Sequence, residues 1–166
     1  MTEVITTERL VLRRPQLRDA AAVVEVINDR EVSRWLTRAP NPYGRKDAVS
    51  FIHRNRKRGG NAFLIFFESK LAGCVGTERE LGYWLGRNFW GRGIASEAAT
   101  AVIGRYFRGR HARLTSGYFI GNSASRHVLR KLGFSTGNLE HARSRATGKF
   151  HPLRRMYLAR KDWEGE

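Results

Sequence analysis

ELGYWLGRNFWGRGIASEAATAVIGRYF, residues 80–107, is the stretch that decides the fold of this chain. A strand over Glu80–Gly86 runs into the glycine-rich turn Trp90-Gly91-Arg92-Gly93-Ile94-Ala95, and an amphipathic helix follows over Arg92–Phe107. Glycine lets a backbone turn tightly and lie close to a ligand. The first N–H groups of a helix have no partner inside it, and with the helix dipole they can donate to a pyrophosphate. Arg92 adds positive charge there and Ser96 a hydroxyl donor. No Gly-Lys-Ser/Thr follows, so the turn is not a Walker loop, and its spacing is not the dinucleotide fingerprint. Taken alone, Gly-x-Gly is weak evidence and describes an ordinary strand-to-helix turn better than a phosphate site.

A second signature follows closely: NSASRHVLRKLGF, residues 122–134. Asn122 is a good N-cap, and Ser125, three positions on, shares the same helix N-terminus. Val128, Leu129 and Leu132 have core spacing, and Gly133 is placed for a left-handed cap. Plain capping would account for Asn122 by itself.

Outward from these segments, Val4–Arg14 reads as an opening strand and Gln16–Asp29 as an amphipathic helix. A short helix over Glu31–Leu36, a loop over Thr37–Arg45 and a helix over Asp47–Lys57 come next. The apolar run Asn61–Glu68 reads as a central strand, Ser69-Lys70 as a turn, and Leu71–Thr77 as a strand meeting Glu80–Gly86 through a very tight turn. Arg113–Ile120 is a strand and Ser123–Leu132 a helix. Phe134–Asn138 and Leu153–Ala159 are the last strands, with a polar loop over His141–His151 between them. No repeat or linker interrupts the chain, so one domain over residues 1–166 is expected. This order of elements implies an α+β fold, a mixed central β-sheet with helices on both faces.

Composition narrows the function classes. With 41% hydrophobic residues in 166, the chain can bury a core. No segment has the apolar length of a membrane span, and the first twenty residues lack a signal-peptide core, so no membrane partner is expected. Cys74 is alone, which excludes an intrachain disulfide and fits a cytoplasmic protein. His53, His111, His127, His141 and His151 lack ligand spacing with Cys74 or one another, so no metal is expected. The formal charge of +16 favours polyanions such as RNA, a ribosomal surface or phosphate-bearing ligands, although an arginine-biased composition explains it equally well. The charge is spread along the chain, densest in HRNRKR at residues 53–58, and no aromatic-and-basic stacking signature of an RNA-binding module is present.

Residues 90–95 resemble motif A of the GNAT N-acetyltransferases, whose pyrophosphate loop runs Gln/Arg-x-x-Gly-x-Gly/Ala. Trp90 stands where Gln or Arg is usual. That departure, together with Gly82-Tyr83-Trp84-Leu85, the opening TTERLVLRR and the closing YLARKDW, is similar to the ribosomal-protein-alanine N-acetyltransferase (RimJ/RimL-type) branch. The resemblance implies the GNAT acyl-CoA N-acyltransferase fold and acetyl-CoA as cosubstrate. It implies direct acetyl transfer, in a ternary complex, to a primary amine on a protein N-terminus or a small molecule. It implies that Trp84, Leu85, Trp90, Gly91, Arg92, Gly93, Ile94, Ala95, Ser96, Asn122, Ser125 and Lys131 bind acetyl-CoA, with Arg130 beside Lys131 near the 3′-phosphate. The strand before the loop splays open in such proteins and offers a backbone N–H at about Trp84-Leu85 to the thioester oxygen. By the same resemblance Ser125 protonates the departing thiolate and Asn122 orients it. Glu80 is the candidate base, with Glu78 as fallback, and neutralisation of nearby arginines is the alternative for both. Trp35, Pro40, Pro42 and Tyr43 would border the acceptor cleft. A homodimer and a ribosome contact through the basic surface are further implications. Relatives carry a longer connection between the strands that Thr77–Leu81 joins here, and its shortness implies an open acceptor side. The competing class is a non-catalytic acetyl-CoA-sensing or ribosome- or RNA-associated binding protein on the same fold.

Overall fold

The computed structural model describes residues 3–163. Strands β1 (Val4–Thr6), β2 (Leu10–Arg13), β3 (Ala62–Phe67), β4 (Lys70–Gly76) and β5 (Gly82–Leu85) form one sheet in sequence order. Strands β6 (Arg113–Phe119), β7 (Ser135–Arg143) and β8 (Phe150–Ala159) form a second, in the order β6-β8-β7. The helices are α1 (Ala20–Ile27, entered through a 3-10 turn at Leu17–Asp19), α2 (Arg30–Ser33), α3 (Arg45–Lys57), α4 (Ile94–Arg108), α5 (Ser123–Lys131) and α6 (Arg160–Trp163). The class is α+β with helices on both faces. In place of one mixed sheet there are two sheets whose strand pairings are all antiparallel.

The central strand explains why both faces are covered. In β3, Phe63 and Ile65 pack with Ile94, Ala98, Val102, Ile103 and Phe107 of α4, while Leu64 faces Ala20, Val23 and Ile27 of α1 and Ala48 and Ile52 of α3. A strand buried on both sides reads as a continuous apolar run, which is what NAFLIFFE shows. A bulge at Ile65/Phe66 shifts the register against Gly73 and Leu71. Across it, Ala72 and Val75 stay on the α4 side while Leu71 and Cys74 go to the α1 and α3 side. Leu64 is fully buried between the layers. Leu64→Ala is expected to destabilise the chain by about 3 kcal/mol, read as a lower midpoint in urea unfolding with an unchanged slope.

Several boundaries differ from the sequence reading, each for a local reason. The opening strand is a hairpin: β1 and β2 pair antiparallel (Thr6↔Val11), and Thr7 Oγ1 accepts the Leu10 N–H at 3.1 Å across the turn. The β3–β4 turn falls one residue earlier than expected, with Glu68 at φ 49° and Ser69 at φ 64°, the two positive φ values that a tight hairpin turn takes. Helix α3 starts two residues early because Asp47 accepts the Gly44 N–H at 2.8 Å and caps it. The polar stretch expected to be a loop over His141–His151 is ladder at both ends, since β7 runs to Arg143 and β8 begins at Phe150, which leaves the loop at 144–149. Main-chain pairing needs no apolar side chains on an open face.

Candidate active site

The ladder of β5 ends where the Gly86 N–H donates to Ala72 O at 2.8 Å. A 3-10 turn at Arg87–Phe89 follows, and Trp90 Nε1 returns to donate to Leu85 O at 2.9 Å, pinning the loop to the end of its own strand. Gly91 and Gly93 then take φ of 72° and 75°, and Gly93 is the N-cap of the 15-residue α4. A side chain in this left-handed region costs roughly 1–2 kcal/mol, which is why glycine stands at both. A Cβ on Gly91 would meet nothing within 4 Å, and one on Gly93 only the Arg9 guanidinium, at 3.5 Å. The surface over the first turn of α4 is therefore open. The N–H groups of Ile94, Ala95 and Ser96, at the positive end of a helix, suit a diphosphate there.

The loop is braced by residues that the sequence reading left without a role. Glu97, in the first turn of α4, accepts from Thr7 Oγ1 at 2.6 Å, from the Arg9 N–H at 2.9 Å and from Arg9 Nε at 2.7 Å. Arg9 also donates to Arg92 O at 2.9 Å, inside the loop itself. Burial alone would raise the Glu97 carboxyl, but the hydrogen bonds from Thr7 and Arg9 win and hold it below the ordinary carboxylate value. Thr7 and Arg9 lie almost ninety positions from Glu97, so only the opening TTERL hinted at them.

Above the loop the two sheets part. At Leu81 they still touch: its N–H donates to Thr115 O at 2.8 Å, and Ser116 Oγ donates to Leu81 O at 2.8 Å. Beyond that point β5 pairs only with β4, through Gly82↔Gly76 and Trp84↔Cys74. Backbone groups alternate sides along a strand. Gly82, Trp84 and Gly86 thus address β4, which turns the N–H groups of Tyr83 and Leu85 into the gap facing β6. Of the expected pair Trp84-Leu85, it is Leu85 whose N–H faces the gap. The Trp84 ring packs on the α1 and α3 side.

Helix α5 supplies the far lip. Asn122 is its N-cap, and Oδ1 accepts the Ser125 N–H at 3.1 Å. Ser125 Oγ shares a 2.8 Å hydrogen bond with Tyr83 Oη, which also donates to Ser125 O at 3.3 Å. Burial pushes the Tyr83 phenol up to about 12, against the lowering contact with Ser125. Tyr83 was visible only as part of a strand motif; its contact with Ser125 spans 42 residues and no local spacing announces it. Arg130 and Lys131 are exposed at the opposite end of α5 from Asn122, with Lys131 about 9 Å along the axis from Ser125. The helix closes on Gly133 at φ 92°, the left-handed cap expected from sequence, with Phe134 N–H donating to Leu129 O and Gly133 N–H to Arg130 O, both at 3.0 Å.

On the other side of β5 lies a cavity of about 450 Å³ whose wall includes Tyr83, Trp84, Tyr43, Phe51 and Pro40. Glu80 and Glu78 line it too. Glu80 Oε2 is ion-paired with Arg155, whose other nitrogen holds Glu140 at 2.8 Å. Glu78 pairs with Arg58 at 3.0 Å and Arg38 at 3.8 Å. Trp35 and Pro42 are outside the lining; Trp35 lies beside Gly121 under the Arg34 guanidinium. Among the described residues no group of three His, Cys, Asp or Glu could hold a metal ion. Nor is any described helix long and apolar enough to cross a membrane.

The profile of the acetyltransferase (GNAT) domain matches residues 9–135. An uncharacterized N-acetyltransferase, p20, of Bacillus licheniformis is 28% identical, covering 98% of this chain and 99% of its own. A GNAT-family acetyltransferase from Bacillus anthracis superimposes with a TM-score of 0.83 at 21% identity, over 96% of this chain and 99% of that one. RimL, a ribosomal L7/L12 alpha-N-protein acetyltransferase solved with coenzyme A, superimposes with a TM-score of 0.79 at 23% identity, over 95% and 98%. The split sheet, the left-handed glycine at the head of α4 and the profile match agree: this chain belongs to the GNAT family and is an acetyltransferase.

Proposed function

We propose that the chain binds acetyl-CoA in the gap between β5 and β6 and transfers the acetyl group directly to a primary amine, on a protein N-terminus or a small molecule, held in the cavity across β5. One observation carries this reading. Strand β5 joins the three parts: Leu85 O holds Trp90 at the head of the glycine loop, Tyr83 Oη holds Ser125 at the start of α5, and Tyr83 also belongs to the cavity wall. The pyrophosphate takes the N–H groups of Ile94, Ala95 and Ser96, with Arg92 nearby, and Lys131 lies toward the 3′-phosphate. The amine attacks the thioester carbonyl, the oxygen gains charge, and the Leu85 N–H stabilises it as a fixed donor. The nitrogen loses its surplus proton to water, collapse of the tetrahedral intermediate breaks the C–S bond, and Ser125 donates a proton to the thiolate and regains one from solvent. An ammonium cannot attack. Glu80, through its Oε1 and an intervening water, removes the proton, since Oε2 is held by Arg155. Holding both reactants on the two sides of one strand supplies much of the acceleration.

The similarity to RimL supports the protein N-terminus as acceptor, and the short Thr77–Leu81 connection leaves room for one. Calorimetry with acetyl-CoA, followed by CoA release against N-terminal peptides and small amines, tests the reading. Binding with turnover of one acceptor class is expected. Absence of acetyl-CoA binding would overturn it, and binding without turnover on any acceptor would assign the fold to acetyl-CoA sensing instead.

A further inference from the structure

The cavity wall carries more cationic charge than its carboxylates neutralise. Arg38 follows α2, Arg54 stands on α3, Arg79 lies in the turn joining β4 to β5, and Arg145 in the turn joining β7 to β8; all four line the cavity. Two of its three carboxylates are ion-paired, Glu78 with Arg58 and Arg38 and Glu80 with Arg155. The third, Asp47, is bonded only to the Gly44 backbone N–H and keeps its charge, so one unpaired carboxylate faces three unpaired arginines. Among the described residues Arg54, Arg79 and Arg145 form no ion pair. Arg145 is fixed over the cavity by its N–H to Thr37 O at 3.1 Å and its guanidinium to Arg38 O at 3.3 Å, and Ser144 Oγ donates to Leu36 O at 3.4 Å alongside. Burial and then the Asp47 carboxylate push the Tyr43 phenol up to about 12, while Arg54 and Arg145 act on it in the opposite sense, so both arginines lie near the same part of the wall as Asp47.

We propose that the acceptor is a primary amine bearing an anionic group, carboxylate or phosphate, on the same molecule, with Arg54, Arg79 and Arg145 reading that group while the amine reaches Tyr83. This rests on the reading of the cavity as the acceptor site. Guanidinium is the side chain suited to planar carboxylate and to phosphate, and a cluster drawn from four separate elements concentrates its field in a concave wall. The same field repels polycations. It also disfavours the charged form of a bound ammonium, which aids the deprotonation that attack requires.

The test has two parts. Acetyl-CoA binding is first established by calorimetry. CoA release is then followed with four acceptors: the C-terminally amidated peptides Ser-Asp-Glu-Ala and Ser-Lys-Arg-Ala, O-phosphoethanolamine and spermidine. Expected is a kcat/KM for the acidic peptide or for phosphoethanolamine at least about thirtyfold above the basic peptide and spermidine at low salt, with the gap narrowing as salt screens the field. Preference for the acidic peptide identifies a polypeptide source, and preference for phosphoethanolamine a small-molecule one. The double substitution Arg54→Ala with Arg79→Ala should raise KM for the preferred acceptor about tenfold while acetyl-CoA affinity holds. Arg79→Glu should move preference toward the basic peptide. Both arginines are exposed, and circular dichroism checks the fold. Equal or better turnover of spermidine or the basic peptide, with acetyl-CoA bound, overturns the anionic acceptor alone. Failure to bind acetyl-CoA overturns the transferase reading beneath it.

Discussion

Gly93→Asp is expected to weaken acetyl-CoA binding by about a hundredfold or more while the chain stays folded. In the proposed site the N-cap of α4 is where the pyrophosphate comes closest, and Gly93 holds φ 75° there with only the Arg9 guanidinium near a Cβ, at 3.5 Å. A carboxylate about 5 Å from a phosphate charge, at an effective dielectric near 20, costs about 3 kcal/mol, or roughly two orders of magnitude in affinity. The cost to folding is smaller. A side chain at this φ is strained by roughly 1–2 kcal/mol, Asp tolerates the left-handed region better than most residues, and a carboxylate at a helix N-terminus is favourable. Gly93→Ala separates the terms, because it carries the backbone strain without the charge. It should stay within about tenfold of the parent in acetyl-CoA affinity and show the strain as a lower unfolding midpoint. The measurement is calorimetric Kd for acetyl-CoA on all three proteins, with thermal unfolding beside it. Unchanged affinity in Gly93→Asp would remove the loop from the binding site, whatever the family resemblance.

That prediction was within reach of the sequence, because everything it needs is local. Glycines at positive φ, an N-terminal turn and an apolar helical face lie in one window from Glu80 to Phe107, and the structure places strand, turn and helix there. The Asn122 cap and the Gly133 left-handed cap are legible for the same reason. What escaped depends on distant partners. The opening segment reads as one strand until Glu97 is known to hold Thr7 and Arg9, which fixes the turn between β1 and β2. The long β7–β8 hairpin hides in a polar, arginine-rich stretch because its ladder is main-chain. The parting of the sheets is a property of β5 and β6 together, and neither strand pattern records it. The cationic cavity wall is the clearest case. Its four arginines come from four elements, and along the chain they dissolve into a uniformly basic composition.

Ser125→Ala is expected to lower kcat about a hundredfold, the scale of a lost general acid, with a much smaller change in acetyl-CoA affinity. The substitution removes Oγ and leaves the Asn122 cap intact, since Asn122 holds the backbone N–H of residue 125 rather than its side chain. Helix α5 should therefore persist. Tyr83 decides how this result is read. Its phenol, pushed up to about 12, stays protonated across the working pH range and can donate to Ser125 Oγ as that oxygen releases its proton. Tyr83→Phe should then also lower kcat, by about tenfold, with the hydrophobic packing of the ring retained. If the two hydroxyls act as one relay, the double variant loses little beyond Ser125→Ala, and the cycle shows strong coupling. Independent roles would give losses that multiply. The pH profile adds a second reading: with Tyr83 protonated below about 12, its titration adds no alkaline limb to kcat in the parent between pH 6 and 10. Equal turnover in Ser125→Ala and parent would take Ser125 out of the chemistry and leave its contact with Tyr83 as packing of α5 against β5.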